Sequence, residues 1–100
     1  MTFPVQLRWL TLGEGGRNQP FVGARYTPTA RFAGESDLFS VVLDFPVPAP
    51  NPTRGWLSLL RPDLENIQRR IVPGSRLEIT EGPRIVALCE VGPTAQSADP

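Results

Sequence analysis

The sequence predicts an all-β protein, and three observations support this fold class. Twelve prolines and nine glycines are spread along 100 residues, with β-branched and aromatic residues in short runs between them, as in chains of many short strands joined by turns. Apolar and polar residues alternate over 76–81 and again over 84–91, on either side of a Gly-Pro turn, and this period of two indicates a β-hairpin. The returning strand is also apolar at Val86 and Leu88 on its second face, so we expect both faces to be covered, as in a closed barrel or at the centre of a sandwich.

Two further strands are predicted by alternation, over 3–12 and over 38–45. Their inward faces carry, in order, Phe3, Val5, Leu7, Trp9, Phe39, Val41, Leu43 and Phe45. Shorter segments separate or follow them: a loop at 13–20, a short apolar segment at 21–22, a turn or bulge at 23–28, an extended segment at 29–32, a turn at 34–37 and a strand at 55–60. Trp56 in the last of these is interpreted as a core or rim anchor.

Two other segments have distinct patterns. Residues 46–52 contain four prolines and are predicted to be extended and polyproline-like, either as a stiff crossover, which we favour, or as a ligand for a proline-reading module. Residues 62–71 have helical spacing, because Leu64, Ile67 and Ile71 fall on one face. We expect one β-barrel domain over 1–92 and a disordered tail over 93–100.

Composition excludes several classes of protein. There are ten arginines, no lysine and no histidine, and ten carboxylates bring the formal net charge to zero, unlike the basic domains that bind nucleic acids strongly. The single cysteine, Cys89, can form neither an intramolecular disulfide nor a cysteine-cluster metal site. No signal segment or membrane-length apolar run is present in the sequence, so we expect a soluble, cytoplasmic protein without membrane contact.

The sequence does not favour an enzyme. Without histidine, general bases would have to be carboxylates, and the closest pairs are Glu35 with Asp37 and Asp63 with Glu65. Both pairs fall in predicted turns or at a helix start, where acidic residues serve as caps. We therefore expect no catalytic residues, no metal and no cofactor.

The order of features resembles the C-terminal β-barrel domain of elongation factor Tu, over residues 7 to about 91. The matching residues are Gly15-Gly16-Arg17, Pro20-Phe21, Gly23, Pro28, Phe32 and the hairpin segment Arg76-Leu77-Glu78-Ile79-Thr80-Glu81-Gly82-Pro83-Arg84-Ile85-Val86. The resemblance implies a small closed antiparallel barrel of about six strands. It also implies a link to translation, since that barrel helps to bind the T stem of aminoacyl-tRNA and the exchange factor Ts. The sequence has no phosphate-binding loop, so we expect neither nucleotide binding nor GTP hydrolysis.

Carried onto this sequence, the resemblance implies a binding rim at one end of the barrel. Its predicted members come from two loops and the segment after the first loop: Gly15, Gly16, Arg17, Arg25, Tyr26, Glu81, Gly82 and Arg84. The first hypothesis is that arginines and exposed aromatic residues bind a protein, as yet unidentified. The alternative is an RNA similar to a tRNA acceptor and T stem, bound by the arginines with Tyr26 or Trp56 as a stacking surface. Homo-oligomerisation stays open.

One structural observation separates the two hypotheses. RNA binding predicts that Arg17, Arg25 and Arg84 converge without carboxylates among them, because phosphate contacts need unneutralised cations. Pairing of these arginines with carboxylates such as Glu14, Glu81 or Asp44 would weaken that prediction.

Overall fold

The computed structural model describes residues 1–61 and 63–93 and contains seven strands, one short helix and one 3₁₀ turn. The strands are β1 (Phe3–Trp9), β2 (Val22–Tyr26), β3 (Thr29–Phe32), β4 (Phe39–Pro50), β5 (Arg54–Leu59), β6 (Arg76–Glu81) and β7 (Arg84–Val91). The 3₁₀ turn is Leu12–Glu14 and the helix is α1 (Glu65–Arg70).

Six of the strands close on themselves. The sheet order is β2-β4-β3-β6-β7-β1-β5, and an additional β4–β5 pairing joins the end back to β4. All these pairings are antiparallel. The predicted all-β class and closed antiparallel barrel of about six strands are therefore confirmed, with β2 as an extra strand beside β4.

The barrel interior is filled by the alternate residues of its strands, as the period of two predicts. Phe39, Val41, Leu43 and Phe45 of β4 are all buried, as predicted. The other buried apolar residues are Phe3, Val5, Leu7, Ala30, Phe32, Leu57, Leu59, Ile71, Leu77, Ile79, Val86, Ala87, Cys89 and Val91. Trp9 is only partly buried and packs against this core from one end.

Helix α1 covers part of the core and confirms the helical spacing seen in the sequence. Ile71, directly after it, is buried, and Leu64 and Ile67 are partly buried against the core. The helix is six residues long, shorter than the predicted stretch. Pro62 of that stretch lies outside the described residues.

Strand β7 departs from the expectation that both its faces are covered. Leu88 points outward and is 37% exposed, so that expectation is wrong at this position. Val86 is buried because of a β-bulge: Ile79 pairs with Ala87 and Thr80 with Ile85, which leaves Val86 as an extra residue. The bulge, rather than a second covered face, explains one of the two additional apolar residues.

The proline-rich segment is also different from the prediction. Residues 46–50 are extended but belong to β4, where Val22 pairs with Pro50 and Gly23 with Ala49. The polyproline-like crossover is therefore wrong, and the segment forms a two-stranded arm with β2.

No helix among residues 1–61 and 63–93 is long and apolar enough to cross a membrane. The predicted disordered tail falls on residues 93–100, of which 94–100 lie outside the described part of the chain.

Candidate functional site

The predicted rim contains a three-residue cluster centred on Glu81, which we call the Glu81 clasp. Arg17 Nη1 and Tyr26 Oη both donate hydrogen bonds to the same oxygen, Glu81 Oε2. Arg17 also donates from Nε to the Gln19 carbonyl oxygen at 3.0 Å. The clasp therefore ties the loop after β1 and the end of β2 to the last residue of β6.

The loop that carries Arg17 is itself ordered by a capping box. Thr11 Oγ1 accepts from the Glu14 amide at 3.2 Å, and Glu14 Oε1 accepts from the Thr11 amide at 2.9 Å. The backbone hydrogen bond from Thr11 is the main reason why the pKa of Glu14 is lowered, with a smaller contribution from Arg8. This local structure fixes the chain direction just before Arg17.

The glycines of the predicted rim have structural reasons for their position. A Cβ atom on Gly16 would lie 2.2 Å from the Leu10 carbonyl oxygen, so only glycine lets the loop pass so close to the end of β1. Gly82 has φ 59° in the β6–β7 turn, a left-handed conformation that favours glycine. Gly15 caps the 3₁₀ turn.

An aromatic cluster of Trp9, Phe21 and Tyr26 packs beside the Glu81 clasp. Trp9 stacks on Phe21 with 5.9 Å between ring centroids and 7° between planes, and Phe21 lies 4.6 Å from Tyr26. The guanidinium carbon of Arg17 is 6.0 Å from the centroids of both Phe21 and Tyr26, at the outer limit of cation–π contact. Trp9 Nε1 donates to the Pro52 carbonyl oxygen at 2.8 Å. These rings therefore pack on one another and do not form an open stacking platform.

The environment of Tyr26 keeps its phenol protonated. Burial is the first cause that raises its pKa, and the hydrogen bond to Glu81 and the negative charge of that carboxylate raise it further. Tyr26 therefore acts as a hydrogen-bond donor to Glu81.

Neither of the two other predicted arginines pairs with the Glu81 carboxylate. Arg25 Nε donates to Asp44 Oδ1 at 2.7 Å, and the two residues face each other across β2 and β4. Arg84 stands opposite Glu81 in the hairpin register. Arg84 has no carboxylate within 4.0 Å in residues 1–61 and 63–93. The structure thus brings together Arg17, Tyr26 and Glu81 and pairs Arg25 separately.

Arginine–carboxylate pairing extends over most of the surface. The pairs within 4.0 Å are Arg8–Glu14, Arg17–Glu81, Arg25–Asp44, Arg31–Glu78, Arg61–Asp63, Arg69–Glu65, Arg70–Glu35 and Arg76–Glu90. Arg54 and Arg84 are the two arginines without such a partner within the described residues. Eight of the ten arginines are therefore neutralised by a neighbouring carboxylate, so charge is balanced locally as well as over the whole sequence.

A groove on the outside of the barrel was not predicted as a site. Trp56 is outward on β5 and 46% exposed, and it lies in a groove of about 640 Å³, within the usual range of ligand cavities. We call this the Trp56 groove. Its lining comes from separate parts of the chain: Pro4, Val5, Gln6, Pro46, Arg54, Gly55, Trp56, Pro73, Gly74, Glu90, Val91, Gly92 and Pro93.

A second depression continues the groove along the outer face. It also has a volume of about 640 Å³, and it shares Gln6 and Glu90 with the Trp56 groove. Leu88 lines it. The exposed Trp56 and Leu88 therefore belong to one continuous face across β5, β1 and β7. The interpretation of Trp56 as a core anchor is therefore wrong, because its side chain faces outward.

Three of the four carboxylates considered as general bases, Glu35, Asp63 and Glu65, are paired with arginines. Glu35 pairs with Arg70, whose hydrogen bonds are the main reason why the pKa of Glu35 is lowered, and Asp63 pairs with Arg61 to the same effect. Burial, with a smaller contribution from Glu90, raises the pKa of Cys89 to about 12. No group of three or more potential metal ligands occurs within residues 1–61 and 63–93.

Comparison with models of known protein families finds no match, and comparison with curated protein sequences finds none.

Proposed function

We propose that this chain is a non-catalytic binding module whose partner is a protein. The observation that carries this proposal is that two arginines of the predicted rim are paired with carboxylates: Arg17 with Glu81 and Arg25 with Asp44. Cationic side chains bind a phosphate backbone largely because they release the counterions that are condensed on it. Arginines that are already paired with a carboxylate of their own chain gain less binding free energy from a phosphate, so the rim is a poor phosphate site.

The outer face supports a protein partner. Trp and Arg are enriched among the residues that anchor protein interfaces, and Trp56 and Arg54 line the same groove. The Trp56 groove on this face combines an exposed tryptophan and four prolines with one arginine and one carboxylate, Arg54 and Glu90. These are properties of a protein interface more than of a nucleic-acid surface.

The RNA alternative has weaker support. It rests on the resemblance to the elongation factor Tu barrel and on Arg84 at the rim, which lacks a nearby carboxylate within the described residues. A link to translation belongs to the same hypothesis, because it too comes from the resemblance alone. Fold-level likeness is a warrant for architecture and only a hint of activity.

Two measurements in parallel test the proposal. The immobilised full-length chain is incubated with nuclease-treated extract of its source cells, and bound proteins are quantified by mass spectrometry. The free chain is titrated with a tRNA acceptor/T-stem duplex over a range of salt concentrations. We expect a saturable protein partner and only background RNA binding at low salt.

The opposite result would overturn the proposal. That result is no specific protein partner, together with duplex binding that falls steeply with salt and drops in Arg84→Ala. Light scattering in the same buffer shows whether a second copy of the chain is the protein partner.

A further inference from the structure

We infer that the Trp56 groove binds an extended peptide segment of the partner, which places a prolyl or aliphatic side chain on Trp56 and a carboxylate on Arg54. The inference rests on the proposed protein-binding function and names its site and the chemistry of the segment. We expect the apolar and the acidic residue to lie within two positions of each other in the partner.

The spacing follows from strand geometry. Arg54 and Trp56 are two residues apart in β5, with the buried Gly55 between them, so both side chains leave the outer face. Their Cα atoms are therefore separated by about 7 Å. Two residues of an extended peptide that runs along β5 cover that distance.

The charged half of the Trp56 groove can bind one negatively charged group. Arg54 is exposed and has no carboxylate within 4.0 Å in residues 1–61 and 63–93, unlike eight other arginines of the chain. Glu90 lines the same groove and already faces Arg76 at 4.0 Å. A single carboxylate can reach Arg54, whereas a polyanion such as an RNA strand would meet the negative charge of Glu90. Charge complementarity therefore selects an acidic residue within an otherwise apolar segment.

The apolar half of the groove has a rigid wall. Trp56 faces Pro4 across the β1–β5 pairing, and Pro46, Pro73 and Pro93 complete the wall. Proline side chains have almost no rotamer freedom to lose when a ligand covers them. Such a preorganised surface lowers the cost of binding.

The closed barrel determines the mode of recognition. On the Trp56 side, β5 is already paired with β1 and β4, so the peptide cannot join the sheet as a further strand there. Recognition must come from side chains that fill the groove. This favours a short sequence pattern over a general preference for extended chains.

The test is selection of peptides from a random phage-displayed library on the immobilised full-length chain. We expect enrichment of peptides with Asp or Glu within two positions of Pro, Leu, Ile or Val. The best peptide is then synthesised and its affinity measured by calorimetry. We expect Trp56→Ala to weaken it about 30-fold, the cost of an interface hot spot. Arg54→Glu should weaken it about tenfold or more.

Arg54→Glu also gives a positive signal, because selection on this variant should replace the acidic position with Lys or Arg. Matched controls are Leu60→Ala and Arg69→Glu, which change an exposed apolar residue and an exposed arginine outside the groove lining; both should bind normally. Circular dichroism of each variant confirms that it is folded.

Three results would overturn the inference: no enriched peptide, enrichment without an acidic position, or binding unchanged by Trp56→Ala. The proposed function is judged separately by extract capture. A partner retained by Trp56→Ala and Arg54→Glu would leave the protein-binding function standing and reject the groove as its site.

Discussion

Arg17 donates a hydrogen bond to Glu81 across 64 positions of the chain, and this contact joins the loop after β1 to the turn of the β6–β7 hairpin. Tyr26 donates to the same carboxylate oxygen. Three elements distant in sequence therefore meet at one acceptor. The end of the barrel at which the resemblance implied a binding rim is thus held together by hydrogen bonds within the chain.

We expect Glu81→Ala to lower the free energy of unfolding by about 1–3 kcal/mol, because it leaves two partly buried donors without their charged acceptor. Urea denaturation monitored by circular dichroism measures the change. Glu90→Ala is the matched control: its contact with Arg76 is 4.0 Å long and exposed, so its loss should cost less than about 0.5 kcal/mol. Equal effects of the two substitutions would contradict a stabilising role for the clasp.

Tyr26 is the only tyrosine, so its ionisation can be followed by ultraviolet absorbance. Its folded pKa is raised above the unfolded value of about 10, first by burial and then by Glu81. The associated stability is fully present below pH ~10 and is lost as the pH rises toward the folded pKa. We expect the folded chain to show no phenolate step near pH ~10 and the urea-unfolded chain to show one. A folded-state midpoint near pH ~10 would mean that the phenol is not held by the clasp.

The sequence predicted local structure well because strands and helices each have a short characteristic spacing of apolar residues. The hairpin β6–β7, the inward face of β4 and the apolar face of α1 all follow from alternation or helical spacing. The pairings that close the barrel, β4 with β5 and β1 with β7, join distant segments. The sequence predicted a closed barrel but neither of these pairings, because the period of two is the same whichever strand is the partner.

The sites were harder to predict, for a physical reason. The resemblance implied that Arg17, Tyr26 and Glu81 lie at one end of the barrel, but it could not show that the carboxylate neutralises the arginine, since that depends on side-chain geometry. The Trp56 groove is assembled from five separated segments, none of which has a motif of its own. Val86 and Leu88 together suggested a second covered face, because the sequence does not show the bulge that turns Val86 inward and leaves Leu88 on the outer face.

Gly16→Ala tests the close approach that shapes the first loop. The added Cβ would lie 2.2 Å from the Leu10 carbonyl oxygen, so the loop must shift, and we expect a loss of about 1–3 kcal/mol in the free energy of unfolding. Gly13→Ala is the matched control in the same loop. Its nearest neighbour would be Thr11 Oγ1 at 3.9 Å, so its effect should be within about 1 kcal/mol of zero. Similar stabilities of the two variants would rule out steric exclusion at position 16.

The prolines of β4 lie where they block an open strand edge. Val41 donates its amide to the Pro28 carbonyl oxygen and Asn51 donates to that of Phe21, so odd-numbered residues bond toward β3 and β2 at both ends of the segment, on either side of a shift in the β2–β4 register between Asp44 and Ala49. Ser40 accepts from Leu60 on the opposite side. The pairing of β4 with β5 ends at Asp44. Beyond it, no strand within the described residues pairs with this side of β4, and we expect the even-numbered positions to face this open edge.

Pro46, Pro48 and Pro50 occupy these even positions, and they have no amide hydrogen to offer to another chain. We expect the double variant Pro46→Thr/Pro48→Thr to expose two donors on this edge and to self-associate with increasing concentration. Sedimentation velocity measures the association. The control Val47→Thr changes an exposed side chain on the same arm without adding an amide to the open edge, so it should sediment like the wild type. A double variant that sediments like Val47→Thr at every concentration would show that these prolines do not protect the edge.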